Sequence, residues 1–322
     1  MDVSATTRQP VVAPLNSNAD KPRNGFFKTA IVWQNVIGFL LLHIAAVYGA
    51  YLYIYEASWA TKLFGFVCYW LSAKGTTMGA HRHYSHRTYK ATLPLRLIIM
   101  FLSTLAGQNS LWVWVRDHRV HHKYSDTDAD PHNSTRGLFF SHIGWLLLRK
   151  HPDVAEKGRK LDMSDLNADP LVMFQKRYYY QLYIACNSLL MLVPVFAWKE
   201  TLWNSFMVTW LLRTTLLYHA TWSINSFAHW GGTKPYDEKI RAAEEKWTAL
   251  FSGGEGWHNY HHTFPMDYKA SEYGMPFNST KGVIDLFAKL GWAYDLKEVS
   301  GDAVFSRVER TGDGTRKFVW WG

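Results

Sequence analysis

Four long apolar stretches dominate the hydrophobic pattern of the chain. They run over about residues 31–55, 59–79, 178–198 and 202–224. Each is close to the ~20 residues that an apolar helix needs to cross the hydrocarbon core of a bilayer. The stretches form two pairs, joined only by residues 56–58 and 199–201, and Trp59, Trp198 and Trp203 flank them as an interfacial aromatic belt would. The pattern predicts an all-α integral membrane protein with four transmembrane helices in two hairpins.

Basic residues are distributed unevenly around these stretches. The chain has 322 residues, 35 of them Lys or Arg, and a formal net charge of +9. Only four of the 35 lie in residues 29–80 and 178–224, namely Lys62, Lys74, Lys199 and Arg213. Cytoplasmic loops of membrane proteins carry an excess of Lys and Arg, so segments 80–177 and 225–322 and both termini are predicted to be cytosolic. Residues 1–28 are polar and predict a disordered cytosolic arm, which leaves 29–322 as a single domain.

Histidine is the unusual residue type, with 15 copies, and most of them fall in three boxes. The boxes cover residues 81–86, 118–122 and 258–262, and a further histidine, His229, follows the fourth stretch. Two residues four apart share one face of a helix, as in the second and third boxes and in the pair Asn225 and His229. In the first box the two outer histidines are five apart, so they converge only if the helix ends or bends between them.

This number of imidazoles indicates a dinuclear metal site. Imidazole suits Zn, Cu, Fe and Ni, and one zinc ion takes about four ligands at most. The nine histidines of the boxes and their surroundings therefore imply two metals: His81, His86, His118, His121, His122, His229, His258, His261 and His262. The two cysteines, Cys68 and Cys186, lie in apolar runs, which argues against a structural zinc cage. A helical cytosolic cap would hold the two metals at the membrane face, where a redox centre could oxidise a lipid chain.

The remaining histidines receive simpler interpretations. We expect His43, His142, His151 and His219 to be satisfied core or interfacial residues, and His132 to be a turn residue of the loop 130–133. His83 is left out of the ligand set because it lies about 200° around the helix from His81.

Longer motifs surround the boxes: GAHR at 79–82, RDHRVHHK at 116–123, DADPHN at 128–133, GWLL at 144–147, TW at 221–222, NS at 225–226, GEGWHNYHHTFP at 254–265 and RTGDG at 310–314. They resemble the membrane-bound acyl-CoA desaturases of the stearoyl-CoA type. The resemblance runs from about residue 26 to Gly314 and has the character of the animal branch, the insect one in particular. His83 departs from the pattern, since that family more often has an apolar residue there.

The resemblance implies both an activity and its partners. It implies a cis Δ9 double bond introduced into a saturated long-chain acyl-CoA, with dioxygen and two electrons from cytochrome b5 and its NADH-dependent reductase. It also implies a multi-pass protein of the endoplasmic reticulum, in contact with membrane lipid and not with nucleic acid. The nine histidines would bind two Fe ions, with Asn225 nearby through a water, and zinc can replace iron in overproduced protein. No catalytic side chain is expected beyond the metal centre, and Asp117, Asp126 and Glu255 are candidates to orient the imidazoles.

The same resemblance implies where the acyl-CoA lies. Asn109, Arg116, Asp117, Arg149 and Lys150 match positions near the head group, where positive charge suits the phosphates of coenzyme A. For Arg149 and Lys150, a membrane-surface anchor is an equal alternative. Gln108, Trp114 and Thr221 resemble the family's residues at the bend of the acyl tunnel, and Trp222 of the TW motif is also expected to bind the substrate. Tyr69 and Ala73 precede His81 on the second apolar stretch by two to three helical turns, so we expect them to line the closed end of the tunnel.

Two other functions stay open. A lipid hydroxylase with histidine boxes would use the same metal chemistry and yield an alcohol instead of an alkene. A histidine-rich membrane protein that stores or transports metal would consume no dioxygen.

Overall fold

The computed structural model describes residues 29–275 and 277–316. The predicted disordered arm, 1–28, lies outside the described residues. Helices account for most of the described chain, and we number the α-helices in chain order: α1 Trp33–Tyr55, α2 Trp59–Lys74, α3 Leu93–Ala106, α4 Leu111–Tyr124, α5 Trp145–Leu147, α6 Pro152–Arg159, α7 Ser164–Asn167, α8 Pro170–Arg177, α9 Tyr179–Trp198, α10 Leu202–Ser205, α11 Arg213–Trp230, α12 Lys246–Ser252, α13 His258–Thr263, α14 Ser279–Lys289 and α15 Gly301–Thr311. Three π-helical segments, Gly75–Ser85, Phe140–Gly144 and Phe206–Leu212, and a 3₁₀ turn, Ser134–Arg136, complete the helical elements.

Two of these helices, α1 and α9, are long and apolar enough to cross a membrane. The pair α3 and α4 passes the same test together but is bent by 81° at its break. The second and fourth predicted stretches are helical too, but neither is one regular apolar helix. The helix α2 passes into the π-helix Gly75–Ser85, and α10 passes through Phe206–Leu212 into α11. The prediction of a mostly helical protein is therefore confirmed for the described residues, with two to three helices that could span a membrane, whereas the four-helix topology stays a prediction.

The tips of the two predicted hairpins contact each other. The carboxylate of Glu200, between α9 and α10, accepts hydrogen bonds from the backbone N–H of Ser58 at 2.9 Å and from Thr61 Oγ1 at 2.7 Å. Trp198 Nε1 donates to the same Thr61 hydroxyl at 2.8 Å. Lys199 ends α9 in the left-handed conformation, with φ 62°, so the chain reverses within three residues. These bonds join the two short connections at one end of the molecule.

A buried arginine, Arg213, makes hydrogen bonds to several of the long helices. Arg213 is 2% exposed and donates to the carbonyl of Thr209, to Ser72 Oγ and to Asn187 Oδ1 at 2.6–2.7 Å. The last two acceptors belong to α2 and α9, and Arg213 Nη2 also donates to the carbonyl of Leu105 on α3 at 3.2 Å, so one guanidinium on α11 bonds to three other helices. These acceptors are neutral oxygens, and they satisfy the donors that burial would otherwise leave unpaired.

Close approach of α3 to the π-helix fixes the base of the cap. A Cβ at Gly75 would lie 2.2 Å from the carbonyl carbon of Leu102, and one at Gly79 would lie 2.5 Å from Ile99 Cγ2. Only glycine allows two helical backbones to lie this close. The cap core forms around this contact and includes Leu95, Ile99, Val115, Val172 and Ile284, all fully buried. Strands β1, Lys90–Ala91, and β2, Ala293–Tyr294, pair antiparallel and close the cap beside α14.

Candidate metal centre

The structure brings all nine histidines of the predicted ligand set into two adjacent groups. In each group the ligand nitrogens lie within 4.8 Å of one another. The first group has five members, His81, His86, His118, His122 and His261, and the second has four, His121, His229, His258 and His262. Sequence spacing indicated one site but not this division between two centres.

Each box with two adjacent histidines contributes to both groups. On α4, His118 and His122 belong to the first group, while His121 faces the second. On α13 the assignment is reversed, since His261 joins the first group and His258 the second. Positions i and i+4 share a face of a helix, and position i+3 lies beside it, so one H-x-x-H-H helix can serve two neighbouring centres.

A π-helix explains how the two outer histidines of the first box, five residues apart, come to lie on one side of the chain. His81 and His86 are five residues apart, and the backbone N–H of His86 donates to the carbonyl of His81 at 3.2 Å. In a π-helix the bond runs from i to i+5, which places residues five apart on one side. The two rings lie 4.9 Å apart as a result. The expected end of the helix is present at Ser85, but the wider π turn is what brings the two rings together.

The ring nitrogens converge as metal ligands do. His261 Nε2 lies 2.9 Å from His81 Nε2 and 3.0 Å from His122 Nε2, and His86 Nε2 lies 2.8 Å from His118 Nε2. In the second group, His262 Nε2 lies 3.0 Å from His258 Nε2 and 3.3 Å from His121 Nε2. Nitrogens about 2.1 Å from one ion and at right angles are about 3 Å apart, so these separations fit a shared ion. His229 Nε2 is buried with no hydrogen-bond partner among the described residues, which also fits a metal ligand.

Burial keeps most of these imidazoles neutral. It lowers the pKa of six of them well below the usual value, and neighbouring imidazoles lower it further: His86, His118, His122, His258, His261 and His262. A neutral imidazole has the free lone pair that a metal needs. At neutral pH these six imidazoles are therefore in the protonation state that binds an ion.

Carboxylates contact the far side of three of these imidazoles. Glu255 Oε2 lies 2.8 Å from His81 Nδ1, and its other oxygen accepts from Arg82 Nη2 at 2.8 Å. Burial alone would raise the pKa of Glu255, but the charges of Arg82 and His81 outweigh it and lower the pKa to about 2. Asp126 Oδ2 lies 3.4 Å from His229 Nδ1. Carboxylates at these positions favour the Nδ1–H tautomer and raise the basicity of the imidazole as a ligand, although neither pair has the alignment of a hydrogen bond in this structure.

The third carboxylate contact was not predicted. Asp130 Oδ2 lies 2.9 Å from His121 Nδ1. Although burial would lower the pKa of His121, Asp130 raises that pKa above its usual value.

Two residues near this contact were given other roles from the sequence. Asp117 was a candidate to orient an imidazole, but its carboxylate instead binds Arg116 and Lys150. His132 lies in a turn, as predicted, but it is also buried, and its ring packs 4.5 Å from that of His121, which was not predicted. The motif 128–133 around Asp130 and His132 was the available signal.

Other histidines lie outside the two groups. His83 Nδ1 hydrogen-bonds to the carbonyl of Tyr89 at 3.1 Å, and burial lowers the pKa of His83 to about 4. His43, His142 and His219 are half-buried and hydrogen-bonded, as expected for satisfied residues. His151 begins α6 and accepts from the backbone N–H of Asp153 at 3.4 Å.

Two cavities meet at the metal groups. The inner cavity, about 550 Å³, extends along α2 and α11 past Ala73, Leu217 and Ala220. The outer cavity, about 700 Å³, extends past Gln108, Asn109 and Trp222 towards Asp117. Both are lined by the same four residues at their junction, namely Trp114, His118, Thr221 and Asn225. The walls are mainly apolar, and the two cavities together form a channel whose junction, called the corner below, lies beside the histidines.

Residues predicted at the bend form one hydrogen-bonded unit. Gln108 Nε2 donates to Thr221 Oγ1 at 2.8 Å, and Trp114 Nε1 lies 3.4 Å from Gln108 Oε1. Trp222, 5% exposed, lines the outer cavity beside them. Asn225 lies at the junction, one helical turn before His229, and is not itself a member of either histidine group.

Two of the residues predicted near the head group, Asn109 and Asp117, line the outer cavity, and Asp117 holds two more of them. Asp117 binds Arg116 at 2.7 Å and also binds Lys150, and Arg116 lies over the ring of Trp112. Burial would raise the pKa of Asp117, but Lys150 and Arg116 lower it below the usual value. Lys150 and Arg149 are exposed, and the backbone N–H of Arg149 donates to Ala30 at the start of the described chain. Asn109 has φ 74° and lines the same cavity.

The predicted closed end lies on α2. Ala73 lines the inner cavity, and Tyr69 packs against Ala73, Ala106 and Leu217. Tyr69 Oη donates to the carbonyl of Phe251 at 2.8 Å, which joins α2 to α12.

Comparison with known proteins gives the family of this chain. A family model described as "Fatty acid desaturase" matches residues 57–282. The chain belongs to the fatty acid desaturase family. It is similar to "Acyl-CoA Delta-9 desaturase" of Acheta domesticus, with 54% identity over 94% of this chain and 85% of that protein. It is also similar to "Stearoyl-CoA desaturase 2" of Mus musculus, with 53% identity over 90% of this chain and 81% of that protein.

These similarities confirm the predicted family and the prediction that this desaturase is an oxidoreductase acting on fatty acyl chains. The protein of Acheta domesticus is an insect relative, in agreement with the insect character of the motifs. A third relative, "Acyl-CoA Delta12-desaturase" of Acheta domesticus, has 51% identity over 92% of this chain and 84% of that protein. Identity to the Δ9 and the Δ12 proteins is nearly equal, so similarity alone does not give the double-bond position of this desaturase.

Proposed function

We propose that this desaturase introduces a cis Δ9 double bond into saturated long-chain acyl-CoA, with two irons, dioxygen and two electrons from cytochrome b5. The observation that supports it most is the position of the two histidine groups beside the junction of the two apolar-walled cavities. A chain threaded through such a channel presents one pair of methylenes to the histidines. Fixed presentation of this kind is what a regioselective oxidation needs.

The nine histidines would hold the two irons, and Asn225 would contact the centre through a water. Bound iron would supply dioxygen activation and removal of hydrogen from the two methylenes, which no side chain here can do. The protein's own contribution is orientation. Glu255, Asp130 and Asp126 would fix imidazole tautomers, and the buried position of the groups excludes bulk water.

Coenzyme A would lie at the outer end of the channel. Arg116, Lys150 and Arg149 place positive charge there, two of them exposed, and phosphates favour such charge. Asp117 neutralises part of this charge, so it would position Arg116 and Lys150 rather than bind phosphate itself. The acyl chain would pass Trp222, bend at Gln108, Trp114 and Thr221, and end near Ala73 and Tyr69.

The membrane arrangement is part of the proposal. Four spans in two hairpins would place both termini and the histidine cap in the cytosol of a cell, at the face of the endoplasmic reticulum. Support comes from α1 and α9, from the contact between the two hairpin tips, and from the basic residues outside the apolar stretches. A cytosolic cap is also where cytochrome b5 could deliver electrons.

A direct test is expression in a yeast strain that lacks its own desaturase, followed by mass spectrometry that locates double bonds. Growth without added unsaturated fatty acid, with a Δ9 monoene, is the expected result. The variant His261→Ala should abolish the product, since His261 Nε2 contacts two other imidazoles, whereas His83→Ala, outside both groups, should retain it. An alcohol as the main product from iron-loaded protein would instead support the hydroxylase, and no oxidised lipid at all would contradict the proposal.

A further inference from the structure

Three histidines outside the metal groups form a chain of hydrogen bonds. His43 Nε2 lies 3.0 Å from His219 Nε2, and His219 Nδ1 lies 3.0 Å from His142 Nε2. The chain ends at Ser226, whose hydroxyl lies 2.9 Å from His142 Nδ1. It joins α1, α11 and the π-helix Phe140–Gly144. His219 uses opposite nitrogens for its two neighbours, so the rings do not converge on one point and do not form a third ligand group.

The hydrogen positions of this chain follow from one carbonyl. His43 Nδ1 lies 2.6 Å from the carbonyl of Phe39, which can only accept, so Nδ1 carries the proton. In neutral His43 the other nitrogen then accepts from His219 Nε2–H. By the same logic His219 Nδ1 accepts from His142 Nε2–H. The hydroxyl of Ser226 lies 2.9 Å from His142 Nδ1 and 2.9 Å from the carbonyl of Trp222, and in this arrangement its one hydrogen goes to His142 Nδ1. All three rings are thus satisfied without a charge.

The chain surrounds one side chain of the channel. The ring centroid of Trp222 lies 5.2 Å from that of His219, 5.8 Å from His142 and 6.4 Å from His43. The first two contacts are edge-to-face, and the third is stacked with 23° between the ring planes. Trp222 itself lines the outer cavity, directly after Thr221 of the bend. The three imidazoles therefore lie behind the indole, on the side away from the acyl path.

We propose that the chain His43–His219–His142 positions the indole of Trp222 and thereby sets which methylenes of the acyl chain reach the metal groups. This inference rests on the proposed acyl path. His219 is the central positioning residue, because it alone contacts both other imidazoles and the indole. Loss of the central ring would leave two half-buried imidazole nitrogens, on His43 and His142, without this partner and free the indole to shift. An indole displaced into or away from the cavity changes the length of chain between the head group and the corner.

The test compares His219→Leu with two amide variants, His219→Asn and His219→Gln, in the yeast strain described above. An amide offers one donor and one acceptor and can continue the chain without titrating. We expect His219→Leu to lower the ratio of the main double-bond isomer to its neighbours by about tenfold, and at least one amide to restore it. His83→Leu also removes a buried imidazole but does not contact Trp222, and should leave the ratio unchanged.

A second readout does not depend on turnover. Purified protein loaded with zinc should bind stearoyl-CoA several-fold more weakly after His219→Leu, with the same metal content as the wild type. If His219→Leu does not accumulate, Ser226→Ala is measured in its place; it removes the terminal hydroxyl of the chain, which also bonds the backbone carbonyl of Trp222.

An unchanged isomer ratio together with unchanged affinity would overturn the inference. Failure of both amide variants to recover either readout would do the same, since shape alone would then explain the effect. A wild-type protein that makes no alkene would contradict the proposed function instead. In that case the stearoyl-CoA binding assay alone would test whether the three histidines position the indole of Trp222.

Discussion

The backbone N–H of His86 donates to the carbonyl of His81, five residues earlier, and this one bond aligns the first histidine box. The bond closes the π-helix Gly75–Ser85, and two glycines of this π-helix, Gly75 and Gly79, allow it to pack closely against α3. The metal centre therefore depends on a backbone packing contact that involves no metal ligand. The first prediction follows from this dependence.

Replacement of Gly75 by alanine should weaken the metal centre. The new Cβ would lie 2.2 Å from the carbonyl carbon of Leu102, so the π-helix and α3 must separate. We expect a loss of about 1–3 kcal/mol in stability and a lower metal content. Thermal unfolding and metal analysis of purified protein measure both. Gly38→Ala is the matched control, because nothing lies within 4 Å of its Cβ, and equal behaviour of the two variants would contradict the argument.

Glu255→Gln should weaken metal binding without removing a predicted ligand. The carboxylate contacts His81 Nδ1 and Arg82, and a neutral amide would orient the imidazole less firmly. We expect metal affinity to fall about 10–100-fold, measured by competition with a chelator. The folded pKa of about 2 is below the usual value, so the stabilisation by this carboxylate is present above about pH 4.3 and lost as the pH falls towards 2. Glu309→Gln, on the exposed surface of α15, should change neither property.

Metal-free protein should lose stability as the pH falls below about 6.5. The pKa values of six clustered imidazoles are lowered in the folded state, whereas unfolded histidines take up protons near pH 6.5. Protons therefore favour the unfolded state, and each such group contributes up to about 1.4 kcal/mol per pH unit. Melting temperatures in detergent from pH 8 to pH 5 test this. A melting temperature independent of pH over that range would show that the groups are not held neutral.

Arg213→Met should destabilise the helical bundle. The guanidinium is buried and bonds α2 through Ser72 and α9 through Asn187, which would lose their partner. We expect a loss of about 2–4 kcal/mol in unfolding free energy, seen as a lower melting temperature. Adding Asn187→Leu to the same protein removes one unpaired acceptor and should recover part of the loss. A double variant with simply additive losses would mean that the two side chains are not coupled.

Ala73→Leu should shift the acyl-CoA preference towards shorter chains. Ala73 lines the inner cavity, and a larger side chain there reduces the space beyond the metal groups. In a competition between a shorter and a longer saturated acyl-CoA, we expect the ratio of product from the shorter substrate to product from the longer one to rise about tenfold. Ala60→Leu, exposed on the same helix, adds the same atoms outside the cavity and should leave the ratio as it was. An unchanged ratio in Ala73→Leu would place the closed end elsewhere.

Much of this protein could be predicted from local patterns alone. The boundaries of α1 and α9 follow the apolar stretches within two residues, because burial in lipid requires a continuous run of apolar residues. The pairing of His118 with His122 and of His258 with His262 follows from helical spacing. Two metals followed from the number of imidazoles, since one ion cannot use nine.

Other features were decided only by the tertiary structure. Division of the nine histidines between two groups depends on how α4, α11 and α13 cross, and spacing within one helix carries no information on that crossing. The π-helix arises where glycine lets α3 approach, and the roles of Asp130 and His132 arise because a loop folds back onto His121. The chain of His43, His219 and His142 joins residues up to 176 positions apart. Sequence determined which residues could bind metal and lie in lipid, whereas contacts between distant segments decided which residues share a centre.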